Sequence, residues 1–336
     1  MGNTQSHVAA SLSLCTIYLL YAKIYCSYCS LRTKEFHSNR QPSFAYLLIR
    51  YLSRCLSGSC TDETALEYSV HSCRLDAQQL RRFCSVAGYG WDYPDSEYRD
   101  LPLCFPETLC FKLLLTLLTD KHFKLSPAGL VRVRQSIRTL QPIDELKKGP
   151  FRVRASVLVY RDVSAGVEVD IGLSATSRNQ SLVWESVLTL LSKNKTHGDT
   201  SSVSLSGSEA GFLGPKQVEL TGPTFPMMPS SDFSLRRLVS ALCGFNSLIT
   251  PRLWTLSVCL AELEKHRGVK SVSAPASVTA QFTEETPKVQ GKVQARFWDS
   301  SQTGSQVSQK VCFDLTNHGS NKSLVEGHIS RTHLSV

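Results

Sequence analysis

Two apolar runs in this chain are each followed by segments that alternate apolar and polar residues. The first run is "FPETLCFKLLLTLLTDKH" (105–122) and the second is "TPRLWTLSVCLAELEKH" (250–266). Thr250 is a good N-cap in front of Pro251, and proline is tolerated at the first helical position. Leu253, Leu256, Leu260 and Leu263 recur at helical spacing, so one face of the second run belongs to a core. The first run is apolar on nearly all sides, which predicts a helix wrapped by protein. After it come "GLVRVRQSIRTL", "FRVRASVLVYRD", "GVEVDIGLSAT" and "SLVWESVLTLLS". After the second come "ASVTAQFTE", "VQGKVQARFWDS", "QVSQKVCFDLTN" and "SLVEGHIS". Most of these alternate as strands with one buried face do. Each half therefore predicts an α+β unit, one long buried helix followed by about four antiparallel strands curved around it. Two such sheets joined edge to edge remove two exposed edges.

The stretch "SKNKTHGDTSSVSLSGSEAGFLGPK", residues 192–216, is rich in Ser, Gly, Lys and Thr and reads as the linker between the halves. The expected divisions are 1–63 for an N-terminal anchor and its basic flank, 64–191 for the first half, and 217–332 for the second. A chain of 336 residues is long enough for two such domains. The net charge of +9 is a bias without a nucleic-acid motif beside it, so no nucleic-acid partner is expected.

The N-terminus changes the picture. "VAASLSLCTIYLLYA" (8–22) is uncharged, Lys23 interrupts, and "IYCSYCSL" continues uncharged to Leu31. The run 8–31 is long enough to cross a bilayer with one lysine as its defect. Lys23, Arg32, Lys34, Arg40, Arg50 and Arg54 stand against the single acid Glu35, which predicts a membrane-associated protein whose body faces the cytosol. "MGNTQS" also fits the myristoylation pattern, with Gly2 as acceptor and Cys15, Cys26 or Cys29 available for a second acyl chain. A spanning helix, a lipid anchor and a soluble packing helix are the three readings, in that order.

Most of the 12 cysteines sit in apolar contexts, Cys243, Cys259 and Cys312 among them, and read as buried thiols. Cys26 and Cys29 make one CxxC with no second pair at a suitable distance, so no metal site is expected, and no cofactor.

"DLPLCFPETLCFKLLLTLLT", "GLVRVRQSI" and "LVWESVLTLL" resemble the first half of MaoC-like double-hotdog proteins. "GFNSLITPRLWTLSVCLAELE" resembles the second half, where the family reads G-F, a short loop, A-H-G-M-W and an apolar helix. The resemblance spans roughly residues 64–332. It implies a double hotdog, two curved antiparallel sheets each wrapped on a central helix. It also implies hydration of enoyl thioesters or dehydration of 3-hydroxyacyl thioesters, carried on coenzyme A or a carrier protein. The family's Asp and His lie in G-D-x-N-P-x-H just upstream of G-F, because water must be activated and a proton delivered at the neighbouring carbon. A backbone N–H at the start of the central helix then stabilises the thioester oxygen.

Counted back from Gly244, that segment falls on "MMPSSDFS" (227–234), with Met228 at the glycine, Pro229 at the aspartate and Ser234 at the histidine. No catalytic residue is therefore carried over. Asp232 and Ser234 read more simply as N-cap residues. A-H-G-M-W has become Thr250, Pro251, Arg252, Leu253 and Trp254. Pro251 removes a helix-start N–H, and Arg252 replaces the glycine that lets a ligand approach the backbone. Gly244, Phe245, Arg252 and Trp254 remain candidates for substrate contact. Against that, an arginine on a first helical turn is usually solvated, and a tryptophan here is usually core. Arg132 is the one unusual charge on an expected strand and is expected to face solvent. Three readings follow: an acyl-thioester-related protein without standard hydratase activity, binding acyl chains or lipid-metabolism partners; an active hydro-lyase using displaced groups such as His71, His122 or His318; and a membrane-associated structural protein.

Overall fold

The computed structural model describes residues 15–19, 21–29, 31, 33–56, 66–90, 93, 100–193, 218–220, 250–283, 293–300, 310–317 and 323–331. Its helices are α1 (residues 15–19 and 21–29), α2 (Phe44–Leu56), α3 (Ala77–Val86), α4 (Phe105–Leu118) and α5 (Pro251–Arg267). Its strands are β1 (Glu35–His37), β2 (Glu67–Cys73), β3 (Val131–Thr139), β4 (Phe151–Val163), β5 (Gly166–Thr176) and β6 (Leu182–Lys193) in the first half. β7 (Val218–Leu220), β8 (Ala276–Phe282), β9 (Val293–Asp299), β10 (Lys310–Asn317) and β11 (Ser323–Arg331) follow.

All eleven strands form one sheet in the order β1-β2-β4-β5-β6-β3-β8-β11-β10-β9-β7. Outward from the β3–β8 seam, the halves read β3, β6, β5, β4, β2 and β8, β11, β10, β9, β7. Among the described residues each half runs strand, central helix and four strands in the same order, with α3 inserted before α4 in the first, and the strand before the helix pairs outside the second of the four. Beyond β2 the first half carries β1, added in parallel. At the seam Ile137 pairs with Val278 and Thr139 with Ala276, and the Thr139 hydroxyl bonds both Ala276 O (3.3 Å) and Ala276 N (3.1 Å). The two exposed edges expected to disappear are consumed here.

α4 packs on β2, β4 and β5, and α5 on β9, β10 and β11. Every residue of α5 from Pro251 to Glu264 is buried, and only its last turn of Lys265, His266 and Arg267 reaches solvent, where basic side chains suit the negative helix end. Gly268, at φ 84°, then ends the helix in a conformation that glycine adopts at no steric cost. A second glycine is fixed by space. A Cβ on Gly327 of β11 would lie 2.1 Å from Thr279 O and 2.7 Å from the Phe313 ring.

Arg132 does not face solvent. It is 0 % exposed, while Arg134 is exposed. A register shift in the β3–β6 pairing lies between Arg132 and Arg134. Such a bulge breaks the alternation, so Val131 and Arg132 both turn inward, whereas a regular strand with Gln135 and Ile137 inside would hold Arg132 outside.

The segment expected to be a basic membrane flank is partly folded into the body. α2 turns Leu47, Tyr51 and Arg54 inward, at helical spacing. The Arg54 guanidinium donates to Phe123 O at 2.5 Å, just past the end of α4, and Arg50 pairs with Asp120 at 3.3 Å. Asp120 also accepts from the Tyr68 hydroxyl at 2.6 Å and the His122 N–H at 2.9 Å. Burial alone would raise the Asp120 carboxyl. The Tyr68, His122 and Arg50 donors outweigh it and hold the group below its ordinary value. A carboxyl lowered in the fold stabilises above its unfolded pKa, and that stability is lost as pH falls through the folded value. Wild type is therefore expected to be more stable than Asp120→Asn above the ordinary value of 3.8, with the advantage shrinking below it. Denaturant midpoints of both proteins, taken from near pH 7 to about pH 3, check this. A difference that stays constant with pH would remove the carboxylate from the account.

The spanning helix expected over 8–31 falls partly on residues 8–14, 20 and 30, which lie outside the described residues. No helix among the described residues is long and apolar enough to cross a membrane. Gly2 and the rest of residues 1–14 lie outside the described residues.

Candidate functional site

The sequence points to the start of α5, where a thioester oxygen would meet helix N–H groups. Thr250 caps this end, its hydroxyl accepting from the Leu253 N–H at 3.3 Å and its carbonyl from the Trp254 N–H at 2.8 Å. Pro251 has no N–H to offer. Three of the first backbone positions are thus unable to donate outward or already bonded within the cap. Arg252 is not solvated but 2 % exposed, and its Nη2 donates to Thr283 O at 3.3 Å, just past β8. No acid lies in the first turn, so a guanidinium stands at the positive end of the helix dipole. A guanidinium donates hydrogen bonds and does not accept protons, so it can stabilise an oxyanion but cannot activate water as a base.

Trp254 points elsewhere. It is 3 % exposed, and its Nε1 donates to Val86 O at 2.9 Å, tying α5 to the end of α3. Arg252 and Trp254 are therefore not brought onto one ligand. Gly244, Phe245, Met228, Pro229, Asp232 and Ser234 lie outside the described residues, as does His318.

The start of α4 is the matching place in the first half. Aligning Pro106 with Pro251 puts Glu107 opposite Arg252, a buried charge of opposite sign on each first turn. Glu107 is paired with Arg132 through both guanidinium Nη atoms. Gln135 accepts from Arg132 at 2.8 Å and donates to Glu107 at 2.7 Å, with Ser186 at 3.2 Å. This network lies under the helix start, and Glu107, Arg132 and Gln135 each bond to the other two. It reads as a structural clamp. Beside it, Cys104 is bonded to Ser257 of α5, and burial pushes its thiol up to about 12, which makes it inert as a nucleophile. No sequence signal marked Glu107 or Gln135, because the bulge that gathers them is a property of strand pairing.

At the other end of α5, Tyr93 Oη lies 3.3 Å from Glu264 Oε2 and 2.8 Å from Asp100 O. With Tyr89, Leu103 and Val272 among others they line a cavity of about 10 Å³, room for roughly one water and none for an acyl chain. Burial raises the Tyr89 and Tyr93 hydroxyls well above their ordinary value, so neither serves as a base near neutrality.

Of the histidines weighed for a displaced dyad, His71 and His122 are placed in the first half. His71 Nε2 lies 3.5 Å from Ser69 Oγ and 3.7 Å from Glu35, on the β1–β2 edge. His122 follows α4 and bonds Asp120 through its backbone.

No family model matches the chain, and no curated protein matches it. Solved structures do resemble it. HtdX of Mycobacterium tuberculosis is 16% identical, covers 78% of this chain and 98% of its own, and superposes with a TM-score of 0.52. A MaoC-like dehydratase from Phytophthora capsici is 16% identical, covers 84% of this chain and 98% of its own, and gives 0.54. A further MaoC-like dehydratase, 10% identical, covers 79% and 97% with 0.51. The chain has the double-hotdog fold of these proteins.

Proposed function

We propose that the protein binds acyl thioesters, or the acyl chains they carry, at the start of α5, without the standard hydration chemistry. The observation that carries this reading is Arg252, a buried guanidinium at the positive end of the second central helix. It supplies an oxygen-binding charge and no proton acceptor, on a fold shared with dehydratases. The substitution of Pro229 and Ser234 at the family's acid and base positions supports the same reading.

A panel of saturated and trans-2-enoyl thioesters tests it, scored for binding by calorimetry and for hydration by loss of enoyl absorbance. Binding without turnover is expected, with Arg252→Met weakening binding by about tenfold, the loss of one charge-assisted hydrogen bond. Hydration abolished by a pocket substitution would favour the active hydro-lyase. Absence of binding across the panel would leave the association role of the fold as the better account.

A further inference from the structure

α1 is an amphipathic helix mounted the wrong way round for a soluble body. Tyr18, Tyr21, Tyr25 and Tyr28 are spaced three, four and three residues apart, which puts them within an arc of about 80° on a helix. They are 53–70% exposed, Ile17 beside them is 62% exposed, and the Tyr21 and Tyr25 rings stack at 6.3 Å. Ser27 lies on the opposite side, is buried, and fastens the helix to the start of α2. Its Oγ accepts from the Ser43 N–H at 3.1 Å and sits 3.2 Å from Ser43 Oγ. A packing helix buries its apolar stripe, whereas this one is held by its polar side and shows the stripe outward. α2 continues the pattern. While Leu47 and Tyr51 face the core, Ile49, Leu52 and Leu56 are exposed at helical spacing, by 49%, 41% and 90%. Two outward apolar stripes on helices fastened to each other exceed the scattered apolar exposure of an ordinary surface.

We propose that α1 and α2 together seat the protein on an anionic lipid bilayer, with α1 lying in the plane of the interface. Tyrosine suits that level of a bilayer, its ring in the acyl boundary and its hydroxyl in water. Charge fits the same occupant. Lys23, Lys34 and Arg40 are exposed on and just after α1, the neighbouring Glu35 is paired with Arg152 at 3.2 Å, and the whole chain carries +9. The seating is independent of what the double hotdog binds.

The test uses the full chain, made in a host that does not acylate it, floated with phosphatidylcholine vesicles with and without about 30% phosphatidylserine. Binding to the anionic vesicles is expected, weakening with salt. Replacing Tyr18, Tyr21, Tyr25 and Tyr28 together by Ser is expected to lower partitioning by at least about tenfold, and Ile49→Ser with Leu52→Ser by a smaller factor, with circular dichroism unchanged. Release of bound protein by alkaline carbonate supports in-plane seating, and retention overturns it in favour of a spanning segment. The proposal is also overturned if the chain does not float, or floats equally well after both sets of substitutions. An assembly of two chains that the tyrosine substitutions dissociate, with no vesicle binding, would assign the face to a second copy instead.

Discussion

Arg132→Ala is expected to destabilise the protein by about 3–5 kcal/mol, the cost of leaving a buried partner charge uncompensated. The partner is Glu107, 4% exposed at its side chain, whose carboxylate would keep only the Gln135 amide as a donor among the contacts described above. The attraction between the two charges is not the source of this loss. Burying both ions costs solvation that their pairing roughly offsets, so the pair contributes little net stability while either half alone is expensive. Arg132→Met combined with Glu107→Gln should therefore recover most of what Arg132→Ala loses. Denaturant unfolding of the single and double variants measures this. A single-variant loss below about 1 kcal/mol, the range of an exposed ion pair, would mean that water reaches the network.

Trp254→Ala should cost a similar amount, about 3–5 kcal/mol, because it removes a large buried ring and leaves a cavity. Trp254→Phe keeps most of the packing and loses the bond to Val86 O, so about 1 kcal/mol is expected from it. The contrast separates two roles for a residue that sequence motifs offer as a ligand contact. A core tryptophan follows the stability order wild type, Phe, Ala, with thioester affinity falling only as far as the fold does. A pocket wall would leave Trp254→Ala nearly as stable as wild type and change acyl-chain preference instead. Unfolding midpoints measured beside thioester affinities decide between them.

The strands 131–139, 151–163, 166–176 and 182–193 and their counterparts 276–282, 293–299, 310–317 and 323–331 were legible because an antiparallel strand with one solvated face writes its geometry into alternate residues. The two central helices were legible because Pro marks both starts, Thr250 caps the second, and leucines mark their buried faces. β2 was not legible. Tyr68, Ser69 and Val70 are buried in succession on it, so the strand carries no alternation to read. The inward contacts of α2 were not legible for a related reason. Its arginines look like a membrane flank until Asp120 and the Phe123 carbonyl, about 70 residues away in sequence, are brought beside them.

At the site, the missing groups follow from residue types alone. Pro229 and Ser234 cannot act as the carboxylate and imidazole of a hydration dyad, and Pro251 cannot donate an N–H, because those are properties of the side chain and the ring. Where the remaining charges go follows from how the whole chain packs. Arg132 turns inward because a bulge in β3 shifts its register by one residue. Arg252 is buried because strands β9–β11 and parts of the first half together enclose α5 for most of its length. Neither outcome is a local property of sequence. A strand's facing depends on the pairing of its neighbours, and a helix's solvation depends on how completely a distant sheet closes around it.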